Sequence, residues 1–219
     1  MLASASLAAE VGGVTVATVL LLRLLRNGSD RPLAWFLTPF LLMTAAIVPA
    51  LLRKRGLAGV GLRLGRLGLI LPVLCATCLV VLPILVCAIV LLRYCQVGLP
   101  LCPMVPKGEW FSWLTHQFLI VAVPEEIFFR GYLQTNILRL LTMTVSRNPA
   151  SLELLSIIPA AAIFAVSHSV LLGQIEALIT FFPSLLFGWL YVKTKSLLAP
   201  ILFHGLANAG YGFIAAFLA

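Results

Sequence analysis

Two adjacent glutamates stand where a carboxylate is least at home. Glu125 and Glu126 lie in the run Phe118-Leu-Ile-Val-Ala-Val-Pro-Glu-Glu-Ile-Phe-Phe-Arg130, in a chain with only seven acidic residues. A carboxylate or guanidinium at bilayer depth costs at least ~2.5–3.5 kcal/mol on insertion scales, so such groups face a bundle interior, pair with one another and mark function. Glu126 and Arg130 are i, i+4 on one helical face, where a bidentate pair can form; Glu125 is rotated by ~100° and is expected in a different sector. Pro124 has no N–H to donate and frees the carbonyl of Ile120, so a kink or restart is expected at the carboxylates.

Two further polar clusters lie in apolar runs. His168 closes Phe164-Ala-Val-Ser-His168, and His204 opens His204-Gly-Leu-Ala-Asn208, whose imidazole and amide share a helical face. A carboxylate and an imidazole that converge on one water make it a nucleophile toward a carbonyl. A second imidazole and an amide then suit the oxyanion, typically the largest catalytic term in a water-poor site. Arg130 is placed to hold Glu126 and keep the cluster rigid. The plainer alternative is a buried salt bridge with histidines that hydrogen-bond between helices. Three such clusters on three helices favour the catalytic alternative.

Other hydrolytic chemistries lack their residues. An aspartyl dyad needs two Asp, and Asp30 stands alone; no histidine opens an HExxH, and there is no nucleophile elbow. Ser167 and Ser169 flank His168, but i±1 neighbours on a helix face apart. His116 is out of phase with Glu125 and reads as an interfacial or packing residue.

The elements that must carry these residues follow from composition. The chain has 219 residues, 62% hydrophobic and 10% charged, with a mean hydropathy of +1.11. Soluble domains carry about a quarter charged residues, so the expectation is an all-α, polytopic transmembrane helix bundle of about seven to eight helices. It reads as a single membrane domain over 1–219, a multi-pass protein of the cell membrane. Apolar runs place helices near 5–26, 33–52, 67–93, 109–131, 159–173, 175–192 and 196–217. The basic, glycine-rich stretch 53–66 suits a segment lying on the membrane surface. The first run has no basic segment before it and ends in Arg23 and Arg26, so it reads as a retained transmembrane helix.

The net charge of +8 comes from Lys and Arg between the apolar runs. With no aromatic interleaving they read as topology signals, and nucleic acid is set aside. If all seven runs cross, nine positive residues face one side and five the other, which puts the N-terminus inside. Helices starting at Pro159 and Ser196 would carry His168 ~13 Å and His204 ~12 Å from the cytoplasmic side, and Glu125 would lie ~9 Å from a helix end near Gly131. The three clusters would then meet in the cytoplasmic half. Cys75, Cys78, Cys87, Cys95 and Cys102 are odd in number, with three inside one apolar run, and read as packing residues.

In order and type the three clusters resemble the motifs of the CPBP family (CAAX proteases and bacteriocin-processing enzymes, also called the Abi family), which are glutamic intramembrane endopeptidases. EExxxR corresponds to Glu125-Glu126-Ile-Phe-Phe-Arg130, FxxxH to Phe164 to His168, and HxxxN/D to His204 to Asn208. The resemblance lies in 109–217. It implies that Glu125 and His168 activate the hydrolytic water, that His204 and Asn208 stabilise the oxyanion, and that Glu126 and Arg130 support them. It also implies a bundle of usually eight helices around a conical cavity open to the cytoplasmic side, a missing eighth helix being assignable to 53–66.

The implied substrate is a membrane-associated peptide or C-terminal tail. No cofactor is expected. Glu plus two His would also make a zinc set, but one His belongs to the oxyanion side in the family reading, which favours no metal. The alternative from another class is a non-catalytic membrane scaffold or bacteriocin-immunity-type protein with the same fold. A proton-coupled transporter would use the same Glu and His as a relay, but calls for inverted repeats that the sequence lacks.

Overall fold

The computed structural model describes residues 2–28, 31–62, 67–95 and 108–218. Asp30, Arg63, Arg66, Cys102 and Lys107 therefore lie outside the described residues. The described residues fold into a bundle of seven helices: α1 (Leu2–Gly28), α2 (Arg31–Leu52), α3 (Leu67–Tyr94), α4 (110–144), α5 (Pro149–Leu172), α6 (Phe181–Thr194) and α7 (Leu198–Leu218). Single 3-10 segments occupy Leu57–Val60 and Ile175–Thr180. Four stretches are long and apolar enough to cross a membrane, Leu2–Gly28, Gly68–Leu91, Pro149–Leu172 and Ile175–Thr194; Phe36–Leu52 and Leu198–Ile214 are shorter.

Helix α4 departs most from expectation. It does not end near Gly131 but runs on to Thr144, and Pro124 neither breaks nor restarts it. The helix instead widens into π-helical turns at His116–Ala122 and Ile127–Gln134, with one α-helical turn, Val123–Glu126, between them. Such widenings are rare and concentrate at functional sites. Here they bracket both glutamates.

Helix α5 begins ten residues earlier than expected, at Pro149. The Asn148 side chain accepts from the Ser151 N–H at 2.8 Å, and proline at the first helical position needs no donor partner. Pro159 is accommodated inside the helix. At its other end Gly173 adopts φ +68° and returns its N–H to Ser169 O, while Arg23 Nη1 donates to Leu171 O at 3.0 Å. His168 thus lies only four residues from the end of α5. The depth argument from Pro159 and Gly131, and with it the placement of the clusters in the cytoplasmic half, does not survive these boundaries.

Two apolar clusters hold the bundle. One joins Leu7, Val11 and Leu22 of α1, Leu42, Ala46 and Ala50 of α2, and Phe128, Phe129, Tyr132 and Leu133 of α4; the other joins Ile70 and Leu74 of α3, Phe187 and Leu190 of α6, and Phe203 of α7. The described part of 53–66, expected at the membrane surface, packs in part against α4. Val60 is fully buried, and a Cβ on Gly131 would collide with the Val60 carbonyl oxygen, so glycine there lets the loop seat on α4. That part forms one 3-10 turn and not an eighth helix. Cys75, Cys78, Cys87 and Cys95 are free thiols on or near the outer face of α3 and its end.

Candidate active site

The polar clusters meet between the two apolar cores. Glu126 is completely buried; Arg130 Nη1 donates to its Oε1 at 3.2 Å, and Nε lies 3.2 Å from Oε2 as an ion-pair contact. Arg130 is itself held: Nη2 donates to Ser184 Oγ at 2.6 Å and to Ser184 O at 3.1 Å. Its guanidinium also lies 4.7 Å from the ring centre of Phe164 and 5.1 Å from that of Phe187. Those two rings carry the imidazoles. Phe164 stacks on His168 at 4.2 Å, and Phe187 stacks on His204 at 4.7 Å. Arg130 is therefore the hub through which Glu126, Ser184 and both aromatic supports are braced.

The glutamates occupy separate sectors, as their ~100° offset predicts, with His204 between them: Glu126 on its buried side and Glu125 on its cavity side. His204 Nδ1 is 2.8 Å from Glu126 Oε1, and His204 Nε2 is 3.9 Å from Glu125 Oε2. Close packing of α7 on α4 permits this. A Cβ on Gly205 would run into the Phe118 ring, so the residue after His204 has to be small.

Hydrogen-bond partners fix where the imidazole protons sit. The carbonyl oxygen of Phe164 lies 3.0 Å from His168 Nδ1 and can only accept, so Nδ1 donates and Nε2 presents its lone pair. That Nε2 is 3.7 Å from Glu125 Oε2, which is buried and has no hydrogen-bond partner among the described residues. Glu125 Oε2 and His168 Nε2 thus face each other with no hydrogen bond between them. His204 Nδ1 likewise donates to Glu126, leaving Nε2 toward Glu125.

A cavity of about 540 Å3 opens on this point, with Glu125, His168, His204 and Asn208 in its wall and apolar side chains of α3, α6 and α7, such as Leu82, Leu85 and Leu186, around them. Its size lies within the ~300–1,000 Å3 typical of ligand sites. Asn208 Nδ2 donates to Gln117 Oε1 at 3.1 Å. All six residues singled out by sequence are thus brought together, and the flanking serines are not: Ser167 Oγ donates to Ile163 O and Ser169 Oγ to Gln174 O. Among the described residues no group of three or more His, Cys, Asp or Glu is arranged to hold a metal ion.

Residues 107–210 match the family described as type II CAAX prenyl endopeptidase Rce1-like. The matched stretch, 104 of the chain's 219 residues, is thus similar to the CAAX-protease family. Neither a curated protein nor a solved structure matches the chain. The family so described is one of CAAX-type intramembrane proteases, which are hydrolases, and the stretch it matches contains all six of the clustered residues.

Sequence reasoning passed over three residues of the matched stretch. Ser184 and Phe187 are ordinary residues of an apolar helix and carry no local signal; only the fold brings them to Arg130. Gln117 had one: an amide in an apolar run, two turns before Glu125.

Proposed function

We propose that the protein is a multi-pass intramembrane endopeptidase of the cell membrane that hydrolyses a peptide bond in a membrane-associated peptide or C-terminal tail, with 109–217 as the catalytic core of a single membrane domain. The observation that carries this reading is the pair of free acceptors, Glu125 Oε2 and His168 Nε2, 3.7 Å apart at the wall of an apolar cavity. Two acceptors this close are what a water needs to be held by both its protons, once the side chains part enough to admit it. Its oxygen then attacks the scissile carbonyl carbon, and a proton passes to Glu125.

The oxyanion so formed is met by the Asn208 amide and, when the imidazole is protonated, by the N–H at His204 Nε2. As the tetrahedral intermediate collapses, the C–N bond breaks and the Glu125 carboxyl returns the proton to the departing amine. Water has then been added across the bond and the site is restored. Glu126 and Arg130 touch no reacting atom; they hold His204 at its angle. No step calls on a cofactor or a metal ion.

The family description points to prenylated CAAX peptides as the first substrates to offer. Wild type and Glu125→Gln in membranes are compared on an internally quenched farnesylated CAAX peptide, and membrane-anchored host proteins are followed by mass spectrometry for new C-termini. The expected result is a rate lower by ~10²–10⁴ in Glu125→Gln. Equal products from both, with both folded, would leave only the binding scaffold.

A further inference from the structure

A second space reaches Glu125. This cavity, of about 640 Å3, is walled by α1, α2 and the first turns of α4, and like the first it ends on Val121 and Glu125. Its lining differs in degree: Arg26, Glu109, Ser112, His116 and Gln117 make it the more polar of the two, though apolar side chains still form most of its wall. A peptide bond held over Glu125 continues in two directions. Away from bulk water each of its N–H and C=O groups needs a partner, and the second cavity offers more of them along its length than the first.

One hydrogen bond ties the two spaces together. Asn208 lines the first and Gln117 the second, and the Asn208 Nδ2 donates to Gln117 Oε1 at 3.1 Å. In this arrangement Gln117 Oε1 takes one hydrogen of the Asn208 amide and leaves the other for the cavity.

We propose that the two cavities are halves of one substrate groove crossing Glu125, that the polar half takes the main-chain-rich segment on one side of the scissile bond, and that Gln117 is the positioning residue tying that half to Asn208. This rests on the hydrolytic reading given above. The acceptor role is specific enough to be separated from packing. Gln117→Met keeps the size and loses the acceptor, whereas Gln117→Glu keeps the acceptor and loses the donor.

On the farnesylated quenched peptide, Gln117→Met is expected to lower kcat roughly 10- to 100-fold, short of the ~10²–10³ lost with a whole oxyanion donor, with KM within about twofold. Gln117→Glu is expected to stay near wild type. In protein labelled with 15N-asparagine, where Asn208 is one of four, the Asn208 side-chain N–H signals should move in Gln117→Met and hold in Gln117→Glu. Full activity in Gln117→Met, equal losses in both variants, or unmoved Asn208 signals would overturn the positioning role. Ser112→Trp, which narrows the polar half, should raise KM; a fall in kcat alone would make that half a water route and overturn the groove. Should wild type cleave nothing, the hydrolytic reading fails by itself. The Asn208 signals then still decide the Gln117 bond, and anisotropy of the uncleaved labelled peptide on Ser112→Trp decides the groove.

Discussion

Two ionic networks cross this bundle, and they are built on opposite principles. At one end Glu10 receives Arg53 at 2.7 Å and Arg55 at 3.1 Å, and Arg55 and Arg139 both donate to Asn136 Oδ1. Arg53 is half exposed there, and water can replace any partner that is lost. In the middle, Glu126, Arg130, Ser184 and His204 are all at least nine-tenths buried and walled by Phe164 and Phe187. Water cannot substitute there. The outer network ties α1, the end of α2 and α4 together; the inner one costs stability to keep and holds a geometry that packing alone does not specify.

The sharpest way to break the contrast is to remove the inner cation. Arg130→Ala strands the Glu126 carboxylate and should cost ~3–5 kcal/mol, read as a lowered unfolding midpoint in detergent. Replacing both partners together, Glu126→Leu with Arg130→Met, should recover most of that stability. It would not recover activity, because His204 loses the partner that orients it. Equal damage from the single and the double change would mean that the pair matters only for folding.

Next in size is Ser184→Ala. It leaves Arg130 with the Ser184 carbonyl but without the hydroxyl, and a hydrogen bond to a charged group is worth ~1.5–3 kcal/mol. Smallest is Arg53→Ala in the outer network, expected to cost less than ~1 kcal/mol in the same unfolding assay. High salt sharpens the comparison further. At 1 M the screening length is ~3 Å, so the exposed arginine's contribution should fade while that of Arg130 should not.

How much of this could be read from the sequence depends on the kind of signal. A charge in an apolar run is conspicuous, and Glu125, Glu126, Arg130, His168, His204 and Asn208 were all visible on that ground. Their helices were visible too, because seven long apolar runs leave little choice of fold. Helix ends were not. Asn148 and Pro149 form a cap and first turn that were legible, but Pro159 inside the apolar run competed for the same role and misplaced the start of α5 by ten residues. The burial of Val60 had no signal at all, since the reason for it is a missing side chain at Gly131, on another helix. Ser184 and Gln117 act through partners 54 and 91 residues away, a separation that no local pattern encodes.

Helix α4 is one unbroken rod. At ~1.5 Å per residue, 110–144 reaches roughly 50 Å, against an apolar bilayer core of ~30 Å. On its far arm, Thr135–Thr144, Arg139 and Asn136 are clamped to the loop after α2. Glu125 and Glu126 sit near the middle of the same rod. One continuous helical backbone therefore joins the clamped arm at Arg139 to both carboxylates, through the widened turns at Ile127–Gln134.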